Sequence, residues 1–176
     1  MKRWVALFSQ SGTEIASLAV KLGFNPRDIL TDRNNRHIWD HRIKSKVVVL
    51  DHESIEREIQ RLHSIYHDDL IVTLHGYLRI LSPDIVNKVE VWNSHPGDII
   101  NFPQLKGKDP QKRALELKLP HTGVVIHQCV AEVDAGPIHM YSRCNIDSDT
   151  NLPDLIDDLR DKSVGLWNLF LREKFK

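Results

Sequence analysis

Residues 47–74 read VVVLDHESIEREIQRLHSIYHDDLIVTL. Val47 to Leu50 is an unbroken apolar run, the pattern of a strand covered on both faces. From Asp51 the period changes. Ile55, Ile59 and Leu62 fall on one side of a helix running from Asp51 to His63. Leu70 to Leu74 is again a continuous apolar run and reads as a second buried strand.

The same alternation continues towards both ends. Trp4 to Phe8 reads as a strand, and Ser9 to Thr13 as a turn of small polar residues. Ile15, Leu18, Ala19 and Leu22 then recur at helical spacing, with Gly23 closing the helix and Pro26 just beyond. Ile29 to Thr31 is a short strand. Asp32 to Lys46 is polar and aperiodic, a loop with at most one helical turn. Beyond Leu74, Ser82-Pro83-Asp84 opens a short helix and Val89 to Asn93 is a strand. A loop over Pro103 to Asp109 precedes a helix from Pro110 to about Lys118. Thr122 to Val130 and Ile138 to Asn145 are strands. A last helix runs from Pro153 towards Phe175, with Leu155, Ile156, Leu159, Leu166 and Leu169 as its buried face. Strands that are apolar throughout and alternate with helices predict an α/β fold: an open, mostly parallel twisted sheet with helices on both faces. Residues 1–176 read as a single domain.

Composition narrows the function classes. Twenty-four Lys and Arg balance twenty-four Asp and Glu. The basic excess of a nucleic-acid or membrane-surface protein is missing. No apolar run approaches the roughly 18 residues of a membrane helix. The run Trp4 to Phe8 is too short for a signal-peptide core, so a cytoplasmic protein is expected. Cys129 and Cys144 form no CxxC pair and read as small buried side chains. His37 and His41, like His63 and His67, are four apart, but no HExxH or nearby cysteine completes a site, so no metal is expected.

In such sheets ligands bind beyond the carboxyl ends of the strands. Four segments stand out there. Ser11, Gly12 and Thr13 precede a helix, where backbone N–H groups and the helix dipole suit a phosphate; a plain strand-to-helix turn uses the same residues. Asn93 and His95 are two apart in an extended segment, so both point to one side and could face one reacting carbonyl; alternatively the Asn bonds backbone and the His packs under a turn. Asp134, before Ala135-Gly136-Pro137, is a natural turn residue or a carboxylate that orients a histidine. Gly76 and the apolar residues up to Pro83 make either a flat pocket wall or an ordinary loop.

In this order, SQSGT, HGYLRILSP, NSHPG and EVDAGPI together resemble the folate-dependent formyltransferase family. The resemblance is strongest from Leu70 to Ile138. It implies a Rossmann-like formyltransferase domain that moves a formyl group from 10-formyltetrahydrofolate, as co-substrate, to a primary amine. Within the family the chain most resembles members that act in purine synthesis, which implies 5'-phosphoribosylglycinamide as the expected acceptor. Other phosphorylated, nucleotide-linked or amino-sugar amines stand as alternatives, followed by hydrolysis of the donor and non-catalytic folate binding. By motif, Asn93, His95 and Asp134 match the family's catalytic triad. A protonated His95, its pKa raised by Asp134, is expected to donate to the oxyanion beside Asn93. The folate is expected against Leu78, Arg79, Ile80 and Leu81 on one side and Val130, Ala131 and Glu132 on the other. Ser11, Gly12 and Thr13 would take the acceptor phosphate, with Gly76 and Pro96 bordering its amine. The implied partner is a small molecule rather than nucleic acid or membrane, and the implied state a monomer or a homodimer. Three departures from the family pattern bear on the acceptor. Gly97-Asp98-Ile99-Ile100 replaces Ser-Leu-Leu-Pro, Glu14 replaces Asn, and the 32–46 segment is short.

Overall fold

The computed structural model describes residues 2–176. Its elements in chain order are β1 (Arg3–Phe8), α1 (Thr13–Leu22), β2 (Asp28–Thr31), β3 (Val47–Val49), α2 (His52–Tyr66), β4 (Leu70–Leu74), α3 (Pro83–Val86), β5 (Glu90–His95), α4 (Pro110–Glu116), β6 (His121–Gln128), β7 (Ile138–Asn145) and α5 (Leu152–Lys174). The strands form one sheet in the order β3-β2-β1-β4-β5-β6-β7. The first five are parallel; β6 and β7 run antiparallel at one edge.

The continuous apolar strands follow from this layering. Trp4, Ala6 and Phe8 of β1 point to one face, where α1 and α5 cover them. Val5 and Leu7 point to the other and join Ile55, Ile59 and Leu62 of α2. A central strand covered on both sides has no polar face to alternate with. The chain leaves β1 towards β2 on one side and reaches β4 on the other. The crevice between β1 and β4 is therefore the switch point where such sheets bind ligands.

Three expectations are corrected. Val47 to Leu50 is not covered on both faces: β3 is the sheet edge, and Val48 is 47% exposed. The 32–46 segment is more than a polar loop, because Trp39 and Ile43 are buried in the main core. Their apolar contribution is invisible to periodicity, since each anchors a turn rather than a face. Leu169 lies outside the buried face of α5; Leu166, Trp167, Phe170 and Leu171 carry it, and Leu169 projects to solvent.

Candidate active site

Asn93 and His95 lie in the last turn of extended chain of β5, two residues apart and so on one face of the sheet. In the antiparallel pairing with β6, Asn93 stands opposite His127 and His95 opposite Val125. Gln128, where β6 ends, pairs with Trp92. The turn between β6 and β7 must therefore fold back along the sheet to bring Asp134 to the carboxyl end of β5. It does so with Asp134 in the left-handed region, at φ 53°.

The Asp134 carboxylate sits between two imidazoles. Oδ2 is 3.3 Å from His95 Nδ1, and Oδ1 is 3.4 Å from His127 Nε2. It also accepts the Gly107 N–H at 2.9 Å. Asn93 Nδ2 is 3.3 Å from His127 Nε2. The three sequence-predicted groups are thus joined through a fourth, His127, that sequence reading missed. Only the strand register could have revealed it, because no motif spacing marks it.

Hydrogen bonding sets the proton positions. Carbonyls only accept, so His95 Nε2, 2.8 Å from the Leu105 oxygen, carries a proton. His127 Nδ1, 3.1 Å from the Gln128 oxygen, does the same. The other ring nitrogen of His95, Nδ1, faces Asp134. Burial holds the His95 pKa below its ordinary value, although Asp134 and the Leu105 carbonyl push it up. This corrects the expectation of a protonated His95. Asp134 acts in the expected direction, but desolvation of a ring that is only 5% exposed outweighs it. Burial pushes Asp134 up, but the neighbouring His127 and His95 rings and the Gly107 N–H outweigh it and hold the carboxyl below the usual range. Burial raises the neighbouring Cys129 thiol to about 12, with Asp134 adding to the effect, so Cys129 is no nucleophile at neutral pH.

The expected folate segments divide. Leu78 (54%), Ile80 (70%) and Val130 (38%) are exposed apolar side chains, and Arg79, Ala131 and Glu132 are exposed as well. Leu81 is 5% exposed, and its side chain packs into the core with Tyr77 and Ile85. The 77–81 loop is tied to the end of β1. The Leu78 N–H donates to Ser9 Oγ at 2.9 Å, and Ser9 Oγ–H donates to Asp32 at 2.6 Å. Arg79 Nε donates to the other oxygen of Asp32 at 3.0 Å.

At the expected phosphate turn, Ser11 Oγ and Thr13 Oγ1 are 2.9 Å apart. Gly12 is the N-cap of α1 at φ 67° and is buried; a Cβ there would stand 2.5 Å from Ile43 Cδ1. The 32–46 segment thus roofs the turn, and the Asp40 N–H donates to the Ser11 carbonyl. Glu14 points away from the turn: its Oε2 is 2.7 Å from His75 Nδ1. His75 Nε2 is 2.8 Å from Thr73 Oγ1, which accepts from Trp4 Nε1 at 2.7 Å. Gly76 is exposed, and its carbonyl accepts the Ser9 N–H; Pro96 is half-buried beside His95. Among the described residues no cluster of three or more His, Cys, Asp or Glu is placed to hold a metal. None of the helices there is long and apolar enough to cross a membrane.

The chain is 39% identical over 99 residues to a methionyl-tRNA formyltransferase of Thermotoga neapolitana, covering 54% of this chain and 30% of that protein. It is 39% identical over 73 residues to the human trifunctional purine biosynthetic protein adenosine-3, covering 39% of this chain and 7% of that one. The chain thus spans under a third of the length of either relative. In fold it resembles the phosphoribosylglycinamide formyltransferase of Streptococcus pneumoniae TIGR4, with a TM-score of 0.85, 19% identity and 100% of both chains covered. Residues 26–168 match the formyl transferase family over most of the sheet and all of the candidate catalytic groups, and the chain belongs to that family.

Proposed function

We propose that this chain is an N-formyltransferase that moves a formyl group from 10-formyltetrahydrofolate to a small primary amine, with 5'-phosphoribosylglycinamide as the acceptor. The observation that carries this reading is the Asp134 carboxylate held between His95 and His127 beside the Asn93 amide. Exposed Leu78, Ile80 and Val130 suit a flat heteroaromatic donor. The bound donor supplies an activated formyl carbon. A bond forms from the acceptor nitrogen to that carbon, and the bond to the folate nitrogen breaks. The acceptor nitrogen loses one proton and the folate nitrogen gains one. Asn93 Nδ2 is the donor for negative charge developing on the formyl oxygen. The gap between His95 Nδ1 and Asp134 Oδ2 is the place for the proton in transit. Because Leu105 keeps the other proton on Nε2, His95 takes it up at Nδ1 alone.

This assignment predicts the pH profile. His95 must be neutral to accept a proton, and burial holds its pKa below the ordinary histidine value. Turnover is therefore flat above neutrality and falls on the acid side, with a midpoint below the ordinary histidine value, as the proton fills Nδ1. A profile that instead fell from neutral to alkaline pH would mean that the charged ring is the active form.

For the acceptor, Ser11 to Thr13 would hold the phosphate provided Glu14 stays on His75. Replacing His75 with Ala releases the carboxylate towards the turn. The KM for the phosphorylated acceptor is expected to rise roughly tenfold, equivalent to ~1.4 kcal/mol. Adding Glu14→Gln to that variant restores it. A steady-state comparison of the single and double variants checks this; equal KM values in all of them would remove Glu14 from acceptor recognition.

The deciding assay is formyl transfer from 10-formyltetrahydrofolate to 5'-phosphoribosylglycinamide, with methionyl-tRNA as the second acceptor. Relatives named methionyl-tRNA formyltransferases motivate the second arm. Transfer to the ribonucleotide supports the reading. Transfer to tRNA alone replaces the acceptor, and no transfer to either, without folate binding, ends it.

A further inference from the structure

The segment 97–107 touches the candidate catalytic groups at three points. A Cβ on Gly97 would lie 2.9 Å from His95 Nε2, so the backbone there packs against the ring. The Leu105 carbonyl takes the Nε2 proton, and the Gly107 N–H reaches Asp134. Hydrogen bonds link these points: Phe102 N–H to the Asp98 carbonyl at 2.9 Å, then Leu105 N–H to the Phe102 carbonyl at 2.9 Å.

Two side chains pin this segment from its ends. Asp98 is fully buried, and its carboxylate is a hub. It accepts the Asn101 N–H at 3.0 Å, Asn101 Nδ2 at 2.8 Å and Tyr141 Oη at 2.9 Å, and lies 3.2 Å from His121 Nε2. Its own N–H donates to Thr122 Oγ1 at 3.3 Å. Asp98 is thus bonded to both β6 and β7. At the other end, the Arg113 guanidinium on α4 donates to three successive carbonyls: Gln104 at 2.6 Å, Leu105 at 3.0 Å and Lys106 at 2.6 Å. The Leu105 oxygen is therefore shared between Arg113 and His95. Only a planar fork spans such a set; a lysine ammonium cannot.

We propose that Asp98 and Arg113 are positioning residues for His95, holding the Leu105 carbonyl where it keeps the Nε2 proton and leaves Nδ1 as the single basic atom. The inference rests on the formyl-transfer reading for its kinetic consequence but not for its structural one. It also accounts for the unusual Gly97-Asp98-Ile99-Ile100 segment. Glycine makes room for the ring, and aspartate replaces an apolar anchor by a polar one. Besides the Leu105 carbonyl, the charged and titratable groups facing His95 are Asp134 from the β6–β7 turn, His127 from β6 and Arg113 from α4.

The test uses the full chain with Asp98→Asn, Tyr141→Phe and Arg113→Lys. In the wild type, the His95 Nε2–H is expected to give an exchange-protected imidazole signal in a 1H–15N spectrum. Each variant is expected to lose that protection and to lower kcat about tenfold or more, with the KM for the folate donor within about twofold. Tyr141→Phe leaves Asn101 and His121 on the carboxylate, so it folds even if Asp98→Asn does not. Folded variants that keep both the signal and kcat overturn the proposal. So does a fall in activity that follows lost folded protein while the signal persists. The signal needs no substrate: if the wild type transfers no formyl group, the functional reading fails and the spectrum still decides this inference.

Discussion

Asn93→Ala is expected to lower kcat for formyl transfer about 10²- to 10³-fold, the usual cost of removing one donor to a developing oxyanion. The KM for the folate donor should hardly change, because the amide acts on charge that appears only in the transition state. Asn93 is half-buried and bonds one neighbour, His127, so the fold survives its truncation. His95→Ala is expected to cost about 10²- to 10⁴-fold, the range for a proton-transfer group together with its positioning. It also removes the acid limb of the pH profile. The double variant should be little worse than the poorer single one, since the two groups serve one step. Single-turnover kinetics on folded protein make the measurement. A loss below about tenfold in both variants would exclude the proposed roles.

Gly136→Ala should be the most damaging single-methyl change in the site. A Cβ at Gly136 would stand 1.8 Å from the Gln128 carbonyl oxygen and 2.9 Å from its carbon. Both atoms are backbone, and the neighbouring Gln128 N–H closes the turn on the Pro137 carbonyl at 3.0 Å. Neither side can yield without reopening the turn. The expected loss of stability is about 1–3 kcal/mol, the range for overpacking. Asp134 lies two residues before the clash, and its left-handed backbone aims the carboxylate between the imidazoles. A displacement of about 1 Å there is expected to cost roughly a hundredfold in turnover. Val133→Ala, at an exposed position in the same turn, is the control and should stay within about 0.5 kcal/mol of wild type. Denaturant melts and turnover measured together separate the outcomes. Lost stability with full turnover would mean that the turn does not aim Asp134.

The legible part of this protein lies in its central strands and long helices. β1, β4 and α2 read correctly because each is dominated by burial on faces set by its own period. The edge strand β3 carries the same apolar signal as a central strand. What distinguishes it is the lack of a neighbour on one side, which no local pattern records. Trp39 and Ile43 were hidden for a similar reason: they are isolated apolar residues in polar sequence, buried by the turn they roof.

By itself the sequence determined the strand and helix alternation, the layered α/β class, and Asn93, His95 and Asp134 as the residues to inspect. Local periodicity and short motifs suffice for these, because they depend on neighbours a few residues away. Tertiary structure alone decided that His127 stands opposite Asn93, that Glu14 turns inward to His75, and that Asp98 and Arg113 hold the Leu105 carbonyl on His95. It also reversed the expected shift of His95. A carboxylate's pull could be anticipated from the motif. The desolvation that outweighs it comes from strands and loops far apart in the chain, and the balance of the two exists only once they have packed together.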